Sequence, residues 1–198
     1  MTDKKQKPTL IFDVDGVLID WASQLPLFCK RCGIDPVLAL KHFTAKEHVD
    51  VRDLFGVEQR SIAFDLLERY NLEHGKYMTA FPDAVENVHK IAKEYNLIAL
   101  TKFGDTTDHW LVRKFNLETF FPSCFSELIT IRGDESKVGY VASIQADHNV
   151  VGFIDDQLEN IEAISRATKL KTIHLNRYDE RADVNHMSKL LDFLHQEV

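Results

Sequence analysis

The chain has 198 residues, enough for one domain or for one core domain carrying a modest insertion. Hydrophobic residues make up 44% and charged residues 28%, the balance of a chain with a packed core rather than a disordered one, the polar start from Met1 to Lys7 aside. A formal net charge of −7 excludes a broad nucleic-acid-binding surface, which needs the opposite sign, although a single basic cleft is compatible with it.

No apolar run follows the charged opening MTDKKQKPTL, and no stretch approaches the ~18 apolar residues of a membrane helix. The expectation is a soluble cytoplasmic protein with no leader and no membrane partner. Three cysteines do not make a disulfide framework. Cys29 and Cys32 form a C-x-x-C, read here as two thiols of an amphipathic helix, since a zinc or redox site needs further ligands or an activated thiol.

Thr9 to Phe12 is a short apolar run that stops at Asp13-Val14-Asp15-Gly16, which predicts a buried strand ending in a turn. Further strands are predicted at Asn96 to Leu100, more weakly around Ser126 to Ile131, at Val150 to Ile154 and at Leu170 to Leu175. Helical faces lie between them. Val85, Val88, Ala92 and Tyr95 share one, Leu158, Ile161 and Ile164 another, and Met187, Leu190, Leu191 and Leu194 a third. Strands alternating with helices imply a doubly wound, Rossmann-like parallel sheet in an α/β protein.

One interval breaks that rhythm. About 85 residues separate Asp15 from Thr101, where a strand–helix–strand unit needs only ~30. The excess shows helical spacing, as in Ile62, Leu66 and Tyr70, and no convincing strand. The division that follows is core over 1–19, a small all-helical cap over 20–80, and the rest of the core over 81–198.

In an open parallel sheet, ligands bind at the carboxyl ends of the strands. Asp13 and Asp15 follow the first strand, Thr101 and Lys102 the next, and Asp155 and Asp156 follow VVGFI. Lys137 opens a helix in GDESKVGY. Residues two apart on an extended segment point the same way, so Asp13 and Asp15 can face one site while Val14 turns inward. Gly16 allows a sharp turn and a close backbone approach. Four converging carboxylates would repel severely, and a hard divalent cation held by oxygen, magnesium rather than zinc, relieves that. A lysine and a hydroxyl beside such a cation suit a phosphoryl group.

These residues also resemble a known family. FDVDGVLID is similar to the first motif of the haloacid dehalogenase-like superfamily, ALT ending at Thr101 to the second, Lys137 to the third, and GFIDD with Asp155 and Asp156 to the acidic fourth. The order is kept from Phe12 to Asp156. The resemblance implies that Asp13 attacks phosphorus and forms an aspartyl phosphate, and that Asp15 protonates the leaving oxygen and then activates water. It implies magnesium held by Asp13, the backbone carbonyl of Asp15, Asp155 and, directly or through water, Asp156. Thr101 and Lys137 would orient and neutralise the phosphoryl oxygens. Lys102 stands where many relatives have Asn or Gly, and would add charge near the site.

Asp15 favours a phosphatase or phosphomutase over a dehalogenase, because a departing halide needs no acid. The expectation is a magnesium-dependent phosphatase acting on a small phosphorylated metabolite or nucleotide. A phosphomutase and a catalytically weak phosphate-binding or signalling module are the alternatives. Two local readings stand beside these roles: Thr101 could cap the next helix, and Asp156 the helix carrying Leu158.

Overall fold

The computed structural model describes residues 7–45 and 49–196, so the expectation for Met1 to Lys7 falls outside them except at Lys7. Five parallel strands form the central sheet in the order β5-β4-β1-β6-β7. They are β1 (Thr9–Phe12), β4 (Asn96–Thr101), β5 (Phe125–Thr130), β6 (Val150–Asp155) and β7 (Lys171–His174). The β1 residues are all buried, and β4 is buried from its second residue on. Both strands are near-continuous apolar runs because helices cover both sheet faces. Side chains alternate across the sheet. Leu10 and Phe12 join one core cluster, while Ile11 joins Ile98, Leu100 and Phe153 in the other.

Helix α5 (Pro82–Glu94) lies against the first cluster, and α7 (Lys137–Asp147) and α8 (Leu158–Ala167) against the second. The buried face of α5 is Ala84, Asn87, Val88 and Ile91. Val85, assigned above to that face, is 40% exposed. The true stripe begins one residue earlier, a shift of one position around the helix. Helix α6 (Thr107–Phe120) packs beside β5, and α9 (Leu190–His195) closes the described chain.

Between β1 and α5 the chain leaves the core. A two-stranded antiparallel ribbon, β2 (Ile19–Asp20) with β3 (Thr79–Ala80), marks the exit and the return. The sequence reading found no strand at these margins, because two residues show no periodicity. Among the described residues, everything between them that is regular is helical: a tight turn over Trp21–Gln24, α1 (Leu25–Arg31), α2 (Pro36–Ala45), α3 (Val51–Phe55), α4 (Arg60–Arg69), a wider turn over Tyr70–His74 and a tight final turn over Gly75–Tyr77. Phe28, Leu54, Phe55 and Tyr70 are buried together with Val14, Val17 and Leu18 of the core. Of the helically spaced apolar residues here, Ala63 is buried while Ile62 is 44% exposed. Cys29 is buried in α1 and Cys32 caps it. Both thiols are free, and burial pushes the Cys29 thiol up to about 11, which leaves it unreactive.

One arginine ties both crossings of this insertion to the end of the sheet. Arg177, just beyond β7, grips the Asp83 carboxylate through Nε and Nη2 at 2.8–3.2 Å. Its Nη1 and Nη2 donate to the carbonyls of Gly16 (2.9 Å) and Val17 (3.0 Å). Its guanidinium also lies 3.8 Å from the centre of the Phe81 ring. Burial alone would raise the Asp83 pKa, but Arg177 and the Met187 N–H outweigh it and hold the carboxyl below its ordinary value.

Removing one partner leaves the other charge buried and bare. Asp83→Ala should therefore lower unfolding free energy by about 3 kcal/mol in urea titrations, and the paired replacement Asp83→Leu with Arg177→Met should recover most of it.

Candidate active site

The ends of β1, β4 and β6 lie at one level, since Phe12 pairs with Ala99 on one side and with Ile154 on the other. Chain order reverses at β1, which makes this the crevice where such sheets place ligands. Asp13, Thr101 and Asp155 emerge there side by side. Lys137 arrives from another direction as the first residue of α7, whose start is capped by the Ser136 hydroxyl.

Lys137 is 2% exposed, and its Nζ lies 2.9 Å from Asp13 Oδ1 and 2.7 Å from Asp155 Oδ2. Burial disfavours an ammonium, yet the two carboxylates outweigh it and hold Lys137 protonated above its usual range. Asp13 Oδ1 also accepts from the Val14 N–H at 2.7 Å. Burial, then Asp155 and Asp15, raise the Asp13 pKa to about 7 against the pull of Lys137. Burial, then Asp155 and Asp13, push Asp156 well above the carboxylate range.

Asp13, Asp155 and Asp156 each offer a carboxylate oxygen within 4.8 Å of the others. At an effective dielectric of about 20, each such charged pair costs about 3.5 kcal/mol. Three pairs would cost about 10 kcal/mol, comparable with the whole stability of a domain. Lys137 offsets part of this. Asp156 Oδ1 is buried without a hydrogen-bond partner, a position no water-exposed carboxylate would hold. Oxygen donors around an orphaned carboxylate fit a hard divalent cation such as magnesium. Gly16 makes the approach possible. Its φ is +80°, and a Cβ there would fall 2.0 Å from Asp156 Oδ2.

Asp15 does not join this cluster with its side chain. Its Oδ2 accepts from the Thr101 hydroxyl at 3.1 Å and from Arg113 Nε at 3.2 Å, and its Oδ1 accepts from Arg113 Nη2. Asp13 and Asp15 thus leave one turn toward different cations. Thr101 does not cap a helix, because α6 begins at Thr107 with Thr106 as its cap. Asp156 does not cap α8 either, since Gln157 holds that position and its N–H bonds to Asp155 Oδ1 at 2.9 Å. Lys102 does not touch the carboxylates itself, but its Nζ lies 2.9 Å from Asn160 Oδ1.

Residues the sequence reading passed over complete the surroundings. Asn160 donates to both oxygens of Asp155 at 3.1 and 3.2 Å. It lies in the first turn of α8, and helical side chains lean toward the N-terminus, so its position after Asp155-Asp156 was a usable signal. His174 Nε2 and Asn176 Nδ2 both donate to the Asp156 carbonyl, at 2.9 and 3.2 Å. His174 is itself a polar strand-end residue. Arg113 carried no signal, since in LVRKF it reads as one more solvated base of a helix.

No family model matches the chain. It is 30% identical over 172 residues, 86% of its length, to a protein of enterobacteria phage T4 described as an uncharacterised 32.4 kDa protein of the Gp30–rIII intergenic region. The chain spans 62% of that relative's length. Solved structures resemble it across nearly all of both chains. One is a candidate haloacid dehalogenase-type hydrolase of Bacillus subtilis bound to magnesium (TM-score 0.66, 15% identity, 97% of this chain and 100% of that one). Another is a hydrolase of the same superfamily, subfamily IA, from Geobacter sulfurreducens (TM-score 0.62, 16% identity, 98% and 100%). A third is an L-2-haloacid dehalogenase (TM-score 0.55, 18% identity, 91% and 90%). At these identities the likeness is one of fold.

Two outcomes follow for the acidic cluster. Asp13 binds its proton more tightly folded than unfolded, so without metal the folded state carries the extra proton between pH 3.8 and about 7 and stability should fall as pH rises through that window. Thermal melts in chelator should show this decline, less of it in Asp13→Asn, and magnesium should flatten it. Asp156→Asn should melt higher than the parent protein in chelator, and should lose the rise in melting temperature that magnesium gives the parent.

Proposed function

We propose that this chain, which has the fold of the haloacid dehalogenase-like hydrolases, is a magnesium-dependent phosphatase that hydrolyses a small phosphate monoester through an aspartyl phosphate on Asp13. The observation that carries the reading is the Lys137 ammonium seated between Asp13 and Asp155, at 2.9 and 2.7 Å, beside the orphaned carboxylate of Asp156. That arrangement is built for a ligand bearing negative charge next to a cation.

Asp13, Asp155, Asp156 and the Asp15 backbone carbonyl would hold magnesium, which when bound supplies positive charge against both the carboxylates and the phosphoryl oxygens. Asp13 is oriented for attack. Two donors converge on its Oδ1, the Val14 N–H and Lys137, and this leaves Oδ2 as the oxygen we assign to phosphorus. Lys137 remains charged throughout and neutralises an oxygen of the transferring group. Thr101 steadies Asp15 through its hydroxyl. Asp15 gives a proton to the leaving oxygen, then takes one from the water that opens the aspartyl phosphate. A dehalogenase has no use for that proton, so the second aspartate supports ester hydrolysis. The helical insertion, which shares a core cluster with Val17 and Leu18, would cover the crevice, exclude bulk water and read the leaving group of a phosphorylated metabolite or nucleotide.

Turnover of p-nitrophenyl phosphate should require magnesium and vanish in Asp13→Asn while the circular dichroism spectrum is kept. Lys137→Ala should slow it by roughly 10²-fold or more, as loss of a preorganised charge does. Unchanged turnover in Asp13→Asn would remove the nucleophile from this scheme.

A further inference from the structure

Asp15 has a partner that no strand end supplies. Arg113, in the middle of α6, is fully buried, and it grips both Asp15 oxygens through Nε and Nη2. The guanidinium is fixed from several sides. Its Cζ lies 3.5 Å from the centre of the Phe103 ring, Nη1 donates to Asn116 Oδ1 at 2.8 Å, and Nη2 is 3.5 Å from Met78 Sδ. Asn116 is itself buried, and its Nδ2 donates to the Gly75 carbonyl at 3.2 Å.

Those last contacts belong to the insertion. Gly75 opens its final turn, Gly75–Tyr77, and Met78 follows that turn just before β3. A Cβ at Gly75 would meet Val112 Cγ1 of α6 at 2.7 Å, so the two surfaces are in close contact. A buried ion pair is weak evidence for stability, since apolar residues of the same volume fill such space as well or better. What an arginine adds is orientation, a planar fork that fixes the plane of the carboxyl it holds.

We propose that Arg113 is the positioning residue of Asp15, and that through Asn116, Gly75 and Met78 it makes the orientation of the Asp15 carboxyl depend on the seating of the helical insertion. The inference rests on Asp15 as the proton donor to the leaving oxygen. A misplaced donor slows the departure of a basic leaving oxygen and matters little for one that leaves unaided. The effect of losing Arg113 therefore scales with the leaving group, whereas a general loosening of the fold does not.

The test compares p-nitrophenyl phosphate with phenyl phosphate, close in size and different in leaving-group basicity. In Arg113→Met the loss of kcat/KM, which reports the leaving-group step and not the opening of the aspartyl phosphate common to both esters, should be at least ~10-fold larger on phenyl phosphate. Arg113→Lys should recover part of the difference. Asn116→Ala, which keeps the charge pair, should shift in the same direction by less. Equal losses of kcat/KM on both esters would overturn the proposal. Crystal structures of Arg113→Met and Asn116→Ala answer independently of activity. The Asp15 carboxyl should turn away from the Thr101 hydroxyl, and an unmoved carboxyl would refute the positioning role. If the parent protein shows no magnesium-dependent turnover that Asp13→Asn abolishes, the hydrolase reading fails, and those structures still decide what Arg113 does.

Discussion

Three acidic side chains share one largely buried space with a single ammonium. Asp13, Asp155 and Asp156 stand close enough that, with all three charged, their mutual repulsion would rival the stability of the domain. The surrounding architecture serves to hold them there. The parallel sheet fixes the level at which β1 and β6 end, α7 delivers Lys137 between two of the acids, and Asn160, Gln157 and His174 keep the Asp155-Asp156 turn from swinging out to solvent. A fold that spends hydrogen bonds on keeping like charges together is poised for a positively charged guest.

The first acidic pair is divided electrically as well as spatially. Val14 points into the core, and the aspartates on either side of it turn to separate buried cations, Lys137 for Asp13 and Arg113 for Asp15. Two carboxyls two residues apart in sequence thus live in different surroundings. Burial keeps the Asp13 pKa high despite its ammonium. Asp15, flanked by a hydroxyl and a guanidinium, is one-fifth exposed. Divergent surroundings for paired carboxylates are how one site hosts two roles.

Much of this was legible in the sequence because it follows from strand ends. Apolar runs that stop at polar residues located β1, β4, β6 and β7 to within a residue or two, and the same stops located Asp13, Thr101 and Asp155. Their relation to one another needed only the rule that ligands gather where parallel strands finish. The misses have physical reasons. Val85 was put on the wrong side of α5 because its inward stripe includes Asn87, which a hydrophobic count skips. The β2–β3 ribbon is too short to have a period. Arg113 was invisible because burial of a charge is decided by what lies across the fold, here Asp15 ninety-eight positions away. No local pattern separates an arginine destined for the interior from one destined for water.

Arg177 gives the molecule an order of assembly. The carbonyls it holds belong to Gly16 and Val17, and its carboxylate partner is Asp83, so the exit and the return of the insertion are stitched by a residue about 160 positions after the first of them. During synthesis the early strand and the inserted helices leave the ribosome long before that stitch exists. Until β7 docks, the junction has the β2–β3 ribbon and the bond from the Phe81 N–H to the Leu18 carbonyl but not the arginine, whose contacts with Gly16, Val17 and Asp83 are the last to become available.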